Sequence, residues 1–232
     1  MNIIEHIVKF KKLYLTWQGD NDPQHMRYIV AELKSENAEA VELKYLSSSA
    51  DYQTAIKLGF SGYPAFPIDN NIYNNEVLEA FKRRLPPRSR NDFNKYLEIL
   101  RLPPVVEITD FSLLGYSGAK LPGDSFSITP CFDDQAGPFE FLIEIAGLRH
   151  VAFDREAIKI GDPISFEKDA NNTFDKNAIK IVSRGTHIGF VPRSLTNIFN
   201  TWMANNSIES AVIERKNGQA DHPVWYVFVK IK

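Results

Sequence analysis

The sequence is poor in the residues that build covalent or metal-held scaffolds: Cys131 is the single cysteine in 232 residues. A lone cysteine excludes an internal disulfide. With no CxxC pair and no paired Cys/His spacing, no structural zinc site is expected. No base is identifiable for it, so Cys131 reads as a small buried strand residue and not as a nucleophile. Long apolar runs are missing too. None approaches the roughly 18 residues of a membrane-spanning helix. MNIIEHIVKFKK lacks the basic region, apolar core and cleavage site of a signal peptide, so a cytoplasmic protein with no membrane partner is expected. Net charge is nearly absent, −2 at neutral pH, so any affinity for a polyanion has to reside in a local patch. Low-complexity stretches do not occur.

What remains is a chain long enough for two domains. The acidic, turn-rich DDQAGP, residues 133–138, is the best linker, dividing 1–132 from 139–232. In the first part, alternation over 9–17, 26–33 and 40–46 predicts a small antiparallel sheet, with Asp20, Asn21, Asp22 and Pro23 as turn residues and not metal ligands. A helix over 49–58 takes its cap from Ser47 to Ser49 and ends at Gly59. FSGYPAFPID either covers the edge of a core or offers Phe60, Tyr63 and Phe66 to a partner. Helices are expected over 76–84 and over 92–100, the second capped by Asn91 or Ser89. A brief helix capped by Asp110 and a strand over 124–132 follow. Between residues 82 and 101 seven cations stand against two acids. Arg83, Arg84, Arg88 and Arg90 are candidates for an anion or nucleic-acid patch, the alternative being a solvated basic helix end.

After residue 138 the texture changes to short strands, expected over 139–147, 163–167, 177–183, 187–191, 208–214 and 224–231. A turn near 154–159 and a helix over 194–202, capped by Ser194, interrupt them. The fold class is α+β: an N-terminal small antiparallel sheet with helices, then an OB-like six-stranded β-barrel with one or two helices, a form that commonly binds oligonucleotides. The most informative stretch is 169–193, DANNTFDKNAIKIVSRGTHIGFVPR. Its first part is a polar loop richer in hydrogen-bonding side chains than a connection needs. Asp175 and Asn177 could serve only that loop's own backbone, and Phe174 could plug the end of the barrel.

Gly147, Leu148, Arg149 and His150, followed by NNTFDKNAIKI and THIGFVPR, resemble the HIRAN domain. The family pattern is a G-L-R-aromatic strand end, an N-x-x-D-x-N-A-[IL] loop and strand, and an [IL]-G-[YFH] strand with a basic residue beyond. The resemblance covers 139–232 and implies an OB-like barrel of DNA-processing proteins, whose best understood members grip single-stranded DNA by its 3′-hydroxyl end. It places Arg149 on the DNA backbone and His150 and Phe174 against bases. Within the loop Asn171, Asn172 and Asp175 fall on the DNA-binding segment, with Asn172 and Asp175 matching the pair that holds the terminal hydroxyl. Phe190 and Arg193 fall near the same groove. Two positions depart from the pattern: Val151 stands where a second aromatic is often seen, and Thr173 where Pro is usual.

KLYLTW, RYIVAEL, GYPAFP, VLEAFKRRLPPRSR and DFSLLGYSGAKLPGD resemble the N-terminal subdomain of HipA-type serine kinases of bacterial toxin–antitoxin systems. No kinase core follows: the sequence has no phosphate-binding Gly-rich loop and no metal-binding Asp motif. A free-standing subdomain of this kind is known in the family as the partner of a truncated kinase. The resemblance therefore implies a HipA-like serine/threonine kinase, or another toxin–antitoxin component, as partner of residues 1–132. The leading expectation is a non-catalytic DNA-binding protein without cofactor. The alternative is an antitoxin or assembly subunit that binds only protein. As an enzyme, the chain would draw on His150, His187 or His222 with Asp175, and no nucleophile or metal-ligand spacing joins them.

Overall fold

Leucines at alternate positions set the register of the N-terminal sheet. In the computed structural model, which describes residues 1–20, 22–36, 40–133, 135, 137–219 and 221–232, Leu13 of β1 (Lys12–Trp17) lies opposite Leu33 of β2 (Tyr28–Ser35). Leu33 in turn lies opposite Leu43 of β3 (Val41–Tyr45), and all three are fully buried. A slip of one residue would carry this row to the opposite face, so the register is strongly specified. Ser49 caps α1 (Ala50–Lys57), its hydroxyl accepting from Tyr52 N–H at 3.1 Å, and Gly59 follows at φ +99.

The two-residue strands β4 (Gly62–Tyr63) and β5 (Phe66–Pro67) pair with each other, and β6 (Ile72–Tyr73) pairs with β3. After α2 (Val77–Lys82), α3 (Phe93–Ile99) and α4 (Asp110–Ser117), β7 (Phe126–Pro130) returns antiparallel to β1. The sheet order is β6-β3-β2-β1-β7.

Two expectations are corrected in this part, and one open alternative is decided. The cap of α4 is Thr109, whose hydroxyl accepts from Ser112 N–H at 3.1 Å; Asp110 lies in the first turn and pairs with Arg88. Of the two readings of FSGYPAFPID, core edge or docking surface, the core one holds: Phe60, Tyr63 and Phe66 are 4%, 8% and 5% exposed, and Tyr63 stacks on Phe81 at 4.5 Å. Arg84 is not a surface cation. It is 7% exposed, pairs with Asp124 at 2.7 Å, and donates to the Ala119 and Phe126 carbonyls at 2.7 and 3.1 Å, which supplies the partners a buried charge requires. Of the expected turn residues, Asn21 lies outside the described residues, while Asp22 accepts from Gln24 N–H and Met26 N–H.

The C-terminal strands are β8 (Phe139–Glu144), β9 (Ile164–Lys168), β10 (Ile179–Ser183), β11 (Thr186–Phe190), β12 (Ile208–Gly218) and β13 (Pro223–Ile231). They form two antiparallel three-stranded sheets, β12-β13-β8 and β11-β10-β9. Isolated bridges join Ala146 to Phe190 and Pro163 to Val212. This differs from a continuous six-stranded barrel, because both seams are single bridges. At one, β8 stops at Glu144 before Gly147 at φ +68; at the other, beyond Pro163, Ile213 N–H donates to the Asp162 carbonyl at 3.0 Å and Gly161 N–H to the Ile213 carbonyl at 2.7 Å, two residues facing one as in a bulge that ends regular pairing. The helix α5 (Thr196–Ala204) starts two residues later than expected, has no side-chain cap, and is preceded by a 3-10 turn, Arg193–Leu195. Its fully buried Phe199 meets Phe141 of β8 and Phe166 of β9 at 6.1 and 4.9 Å, so one ring packs against both sheets.

Two compact units are present: Val8–Leu97 with Pro104–Asp134, and Gln135–Lys232 with the distant segments Met1–Ile7 and Glu98–Pro103. Of the linker residues 133–138, Asp134 and Ala136 lie outside the described residues. The two added segments of the second unit are held by carboxylates. Glu140, 5% exposed, accepts from Glu5 N–H and His6 N–H at 3.0 and 2.9 Å and meets the His6 ring at 3.0 Å. Burial alone would push this carboxyl up, but the His6 and Glu5 donors outweigh it and hold it below the ordinary 4.5. A carboxyl depressed in the folded state contributes stability above its unfolded value, and that contribution disappears as pH falls through the folded one. Urea denaturation should therefore show stability declining below pH 4.5, with a shallower decline in Glu140→Gln; equal declines would refute the assignment to Glu140.

Candidate nucleic-acid interface

Two sequence motifs meet at the end of β11. The β10–β11 hairpin turns through Arg184 and Gly185 at φ +49 and +77, the backbone a two-residue hairpin needs. Phe190 then pairs with Ala146 through reciprocal N–H to carbonyl bonds of 2.8 Å each. Glycine is required on both sides of this bridge: a Cβ on Gly189 would lie 2.4 Å from the Ile145 side chain, and Gly147 is left-handed at φ +68. The bridge fixes the departure of the next turn. Arg149 and His150 lie in that 3-10 turn, Leu148–His150, and not on a strand end. Both are exposed, and Arg149 Nε donates to His150 Nε2 at 3.0 Å.

The loop before β10 is braced by its own polar side chains. Asp169 N–H donates to the Ala178 carbonyl at 2.9 Å, closing it. Asn172 Oδ1 accepts from Phe174 N–H and Asp175 N–H, both at 2.9 Å, while its amide donates to Asp169 at 3.2 Å. Asp175 Oδ1 accepts from Asn177 N–H at 2.9 Å. The self-bonded reading of these residues is therefore right as far as it goes. It fails for Phe174, whose ring is 69% exposed and plugs nothing. The second oxygen of Asp175 lies 3.9 Å from Arg193 Nε, and Asp169 pairs with Lys180 at 3.1 Å.

The structure thus joins Arg149 to His150, Asn172 to Phe174 and Asp175, and Asp175 to Arg193, with Phe190 tied through Ala146 to the turn bearing Arg149 and His150. Asn171 is exposed in the same loop. Asn172 has its amide and its carbonyl oxygen engaged within the loop, which leaves Asp175 as the better placed acceptor. The basic quartet belongs to the other unit and is broken up by pairing: Arg84 is buried, Arg88 meets Asp110 at 2.6 Å and Arg90 meets Asp92 at 2.7 Å, while Arg83 is exposed.

The histidines are dispersed in their contacts. His187 Nε2 donates to the Gly189 carbonyl at 3.0 Å and its ring meets Phe190 edge-on at 4.8 Å. Burial pushes this ring below the usual imidazole range, against the carbonyl bond, and Lys180 adds to the fall. His222 is exposed beside Asp221. Among the described residues one group, Glu5, His6 and Glu140, brings three potential metal ligands within 4.8 Å. Its Glu140 oxygens already accept from both backbone N–H groups and meet the His6 ring. No helix among the described residues is long and apolar enough to cross a membrane.

Residue Gly189 was not singled out by its chemistry, although a glycine inside an alternating strand is itself a signal of close backbone approach.

Comparison with known proteins places these motifs. No curated protein matches the chain. Among solved structures it is similar to the crystal structure of the HIRAN domain of human HLTF, with 20% identity and a TM-score of 0.33 over 40% of this chain and 76% of that one. It is also similar to the crystal structure of a protein from Lactobacillus plantarum, with 16% identity and a TM-score of 0.31 over 41% of this chain and all of that one. The family model described as HIRAN domain matches residues 138–227, which span the Ala146–Phe190 bridge, the Asn172–Asp175 loop and Arg193. Residues 138–227 therefore carry a HIRAN domain.

Proposed function

We propose that this protein binds DNA without catalysis, its HIRAN domain gripping a single strand or a 3′ end. The exposed Phe174 carries the reading. A large apolar ring standing in solvent on a loop held by its own hydrogen bonds is a stacking platform whose ordering is complete before a base arrives. Arg149, exposed, suits a backbone phosphate, and His150 beside it offers a second flat ring. Asp175, with one oxygen facing Arg193, can accept a terminal O–H.

Phe174→Ala is expected to weaken binding of a short single strand about tenfold, since stacking contributes roughly 1–3 kcal/mol per base. Because the ring is exposed, thermal stability should stay unchanged. Fluorescence anisotropy with free and 3′-phosphorylated oligonucleotides tests both parts. Equal affinity of Phe174→Ala and the unaltered chain would reject the platform, and indifference to the 3′-phosphate would reject the hydroxyl grip.

Docking of a HipA-like kinase by residues 1–132, within a toxin–antitoxin system, is supported only by the sequence resemblance. Absence of DNA binding at low salt together with tight co-purification of such a kinase would favour the purely protein-binding reading.

A further inference from the structure

We infer that the cavity between the 168–178 segment and α5 is a phosphodiester subsite, where the chain holds a backbone phosphate of the bound strand. This rests on the DNA-binding reading and adds a contact to it. The cavity has a volume of about 360 Å³, and its polar lining consists of Lys168, Lys176, Asn177, Asn197 and Asn200. Two cations and three amides, with no carboxylate in the lining, make a donor-rich site in a chain of net charge −2. The nearby acids do not cancel the lysines: Asp169 is paired with Lys180 at 3.1 Å and Asp175 faces Arg193 at 3.9 Å. Lys168 and Lys176 are exposed and make no ion pair among the described residues.

The helix contributes as well. Asn197 lies in the first turn of the nine-residue α5 and brings its side-chain amide to the same lining as the lysines. Asn200, one turn on, donates to the Thr196 carbonyl at 2.9 Å, which orients its amide. Lys176 and Asn177 follow Asp175 directly in the chain. One loop therefore presents the stacking ring and acceptor at 174–175 and then the cation and amide of the cavity at 176–177. A strand whose terminal nucleotide meets Phe174 would have a backbone phosphate available to this cavity.

The test is the salt dependence of oligonucleotide binding by the full chain, with a fluorescent single-stranded thymidine oligonucleotide as probe. For the double variant Lys168→Gln with Lys176→Gln, the slope of log K against log salt should shrink by about 0.7, the value for one phosphate contact on a single strand, with about a fivefold loss of affinity near 0.1 M salt. Lys57→Gln, an exposed lysine of the other unit, should leave the slope unchanged. An unchanged slope in the double variant overturns the subsite while leaving the DNA-binding reading intact. If the unaltered chain binds no oligonucleotide, the DNA reading fails and the cavity is judged on pyrophosphate alone. Shifts of the Asn177, Asn197 and Asn200 side-chain amide signals in nitrogen-15 NMR, lost in the double variant, would then support an anion site; no shifts would overturn it.

Discussion

Arg101→Ala is expected to lower the stability of the protein by about 3 kcal/mol, the usual consequence of stripping one partner from a buried ion pair. The Glu214 side chain is 4% exposed and its partner Arg101 11%, with Arg101 Nε 2.6 Å from Glu214 Oε1. Asn2 supplies the remaining donors, its amide at 2.6 Å to Oε2 and its backbone N–H at 3.2 Å to Oε1. Without the guanidinium, a charged group stays in a dry site with neutral donors only. Ile4 N–H also donates to the Arg101 carbonyl at 2.8 Å, and Arg215 reaches the Ile99 carbonyl while lying 4.2 Å from the Tyr226 ring. One cluster therefore fastens both distant segments to β12. Adding Glu214→Gln to Arg101→Ala should recover part of the loss, because a neutral amide needs no counter-charge. Urea titration of the single and double variants decides the matter: a single-variant loss under about 0.5 kcal/mol, that of an ordinary surface substitution, would show the pair to be dispensable.

That cluster also marks where the sequence stops being legible. Alternation in FEFLIE puts Phe139, Phe141 and Ile143 on one face and assigns Glu140 to solvent, yet Glu140 is 5% exposed because residues more than a hundred positions away cover it. Nothing local in MNIIEHIVKF distinguishes a covering segment from a free end. Arg84 departs from both readings of its run of cations, patch or solvated helix end, because the carbonyls and carboxylate that enclose it come from residues 119–126. The strands were readable wherever side chains alternate or leucines face each other, as at Leu13, Leu33 and Leu43. The seams of the C-terminal sheets are isolated bridges and not extended ladders, and such bridges leave no periodic trace. The loop at 169–178 stands out in the sequence as a candidate because its polar side chains exceed what a connection needs. That its Asn172 is engaged within the loop and its Phe174 is not buried depends on the folded backbone of the loop, which residue types alone do not set.

Gly189→Ala should damage fold and binding together, which separates it from substitutions at the exposed ring. A Cβ at this position would stand 2.4 Å from Ile145 Cγ2 and 2.8 Å from the Ala146 carbonyl oxygen. Neither neighbour can easily retreat. Ile145 is 4% exposed, and its N–H donates to the Trp225 carbonyl at 2.9 Å; Ala146 carries the reciprocal bonds to Phe190. Relief comes from opening that bridge or displacing β11, and overpacking of this kind costs about 1–3 kcal/mol or more. Opening the bridge would free the turn that carries Arg149 and His150, so affinity for a single strand should fall along with stability. Gly185→Ala is the control: a Cβ there meets nothing within 4 Å, and its φ of +77 adds only the strain of a left-handed residue, about 1–2 kcal/mol. Thermal denaturation and oligonucleotide anisotropy should rank Gly189→Ala well below Gly185→Ala on both scales. Equal affinity in the two variants would mean that the Ala146–Phe190 bridge does not position Arg149 and His150 for the strand.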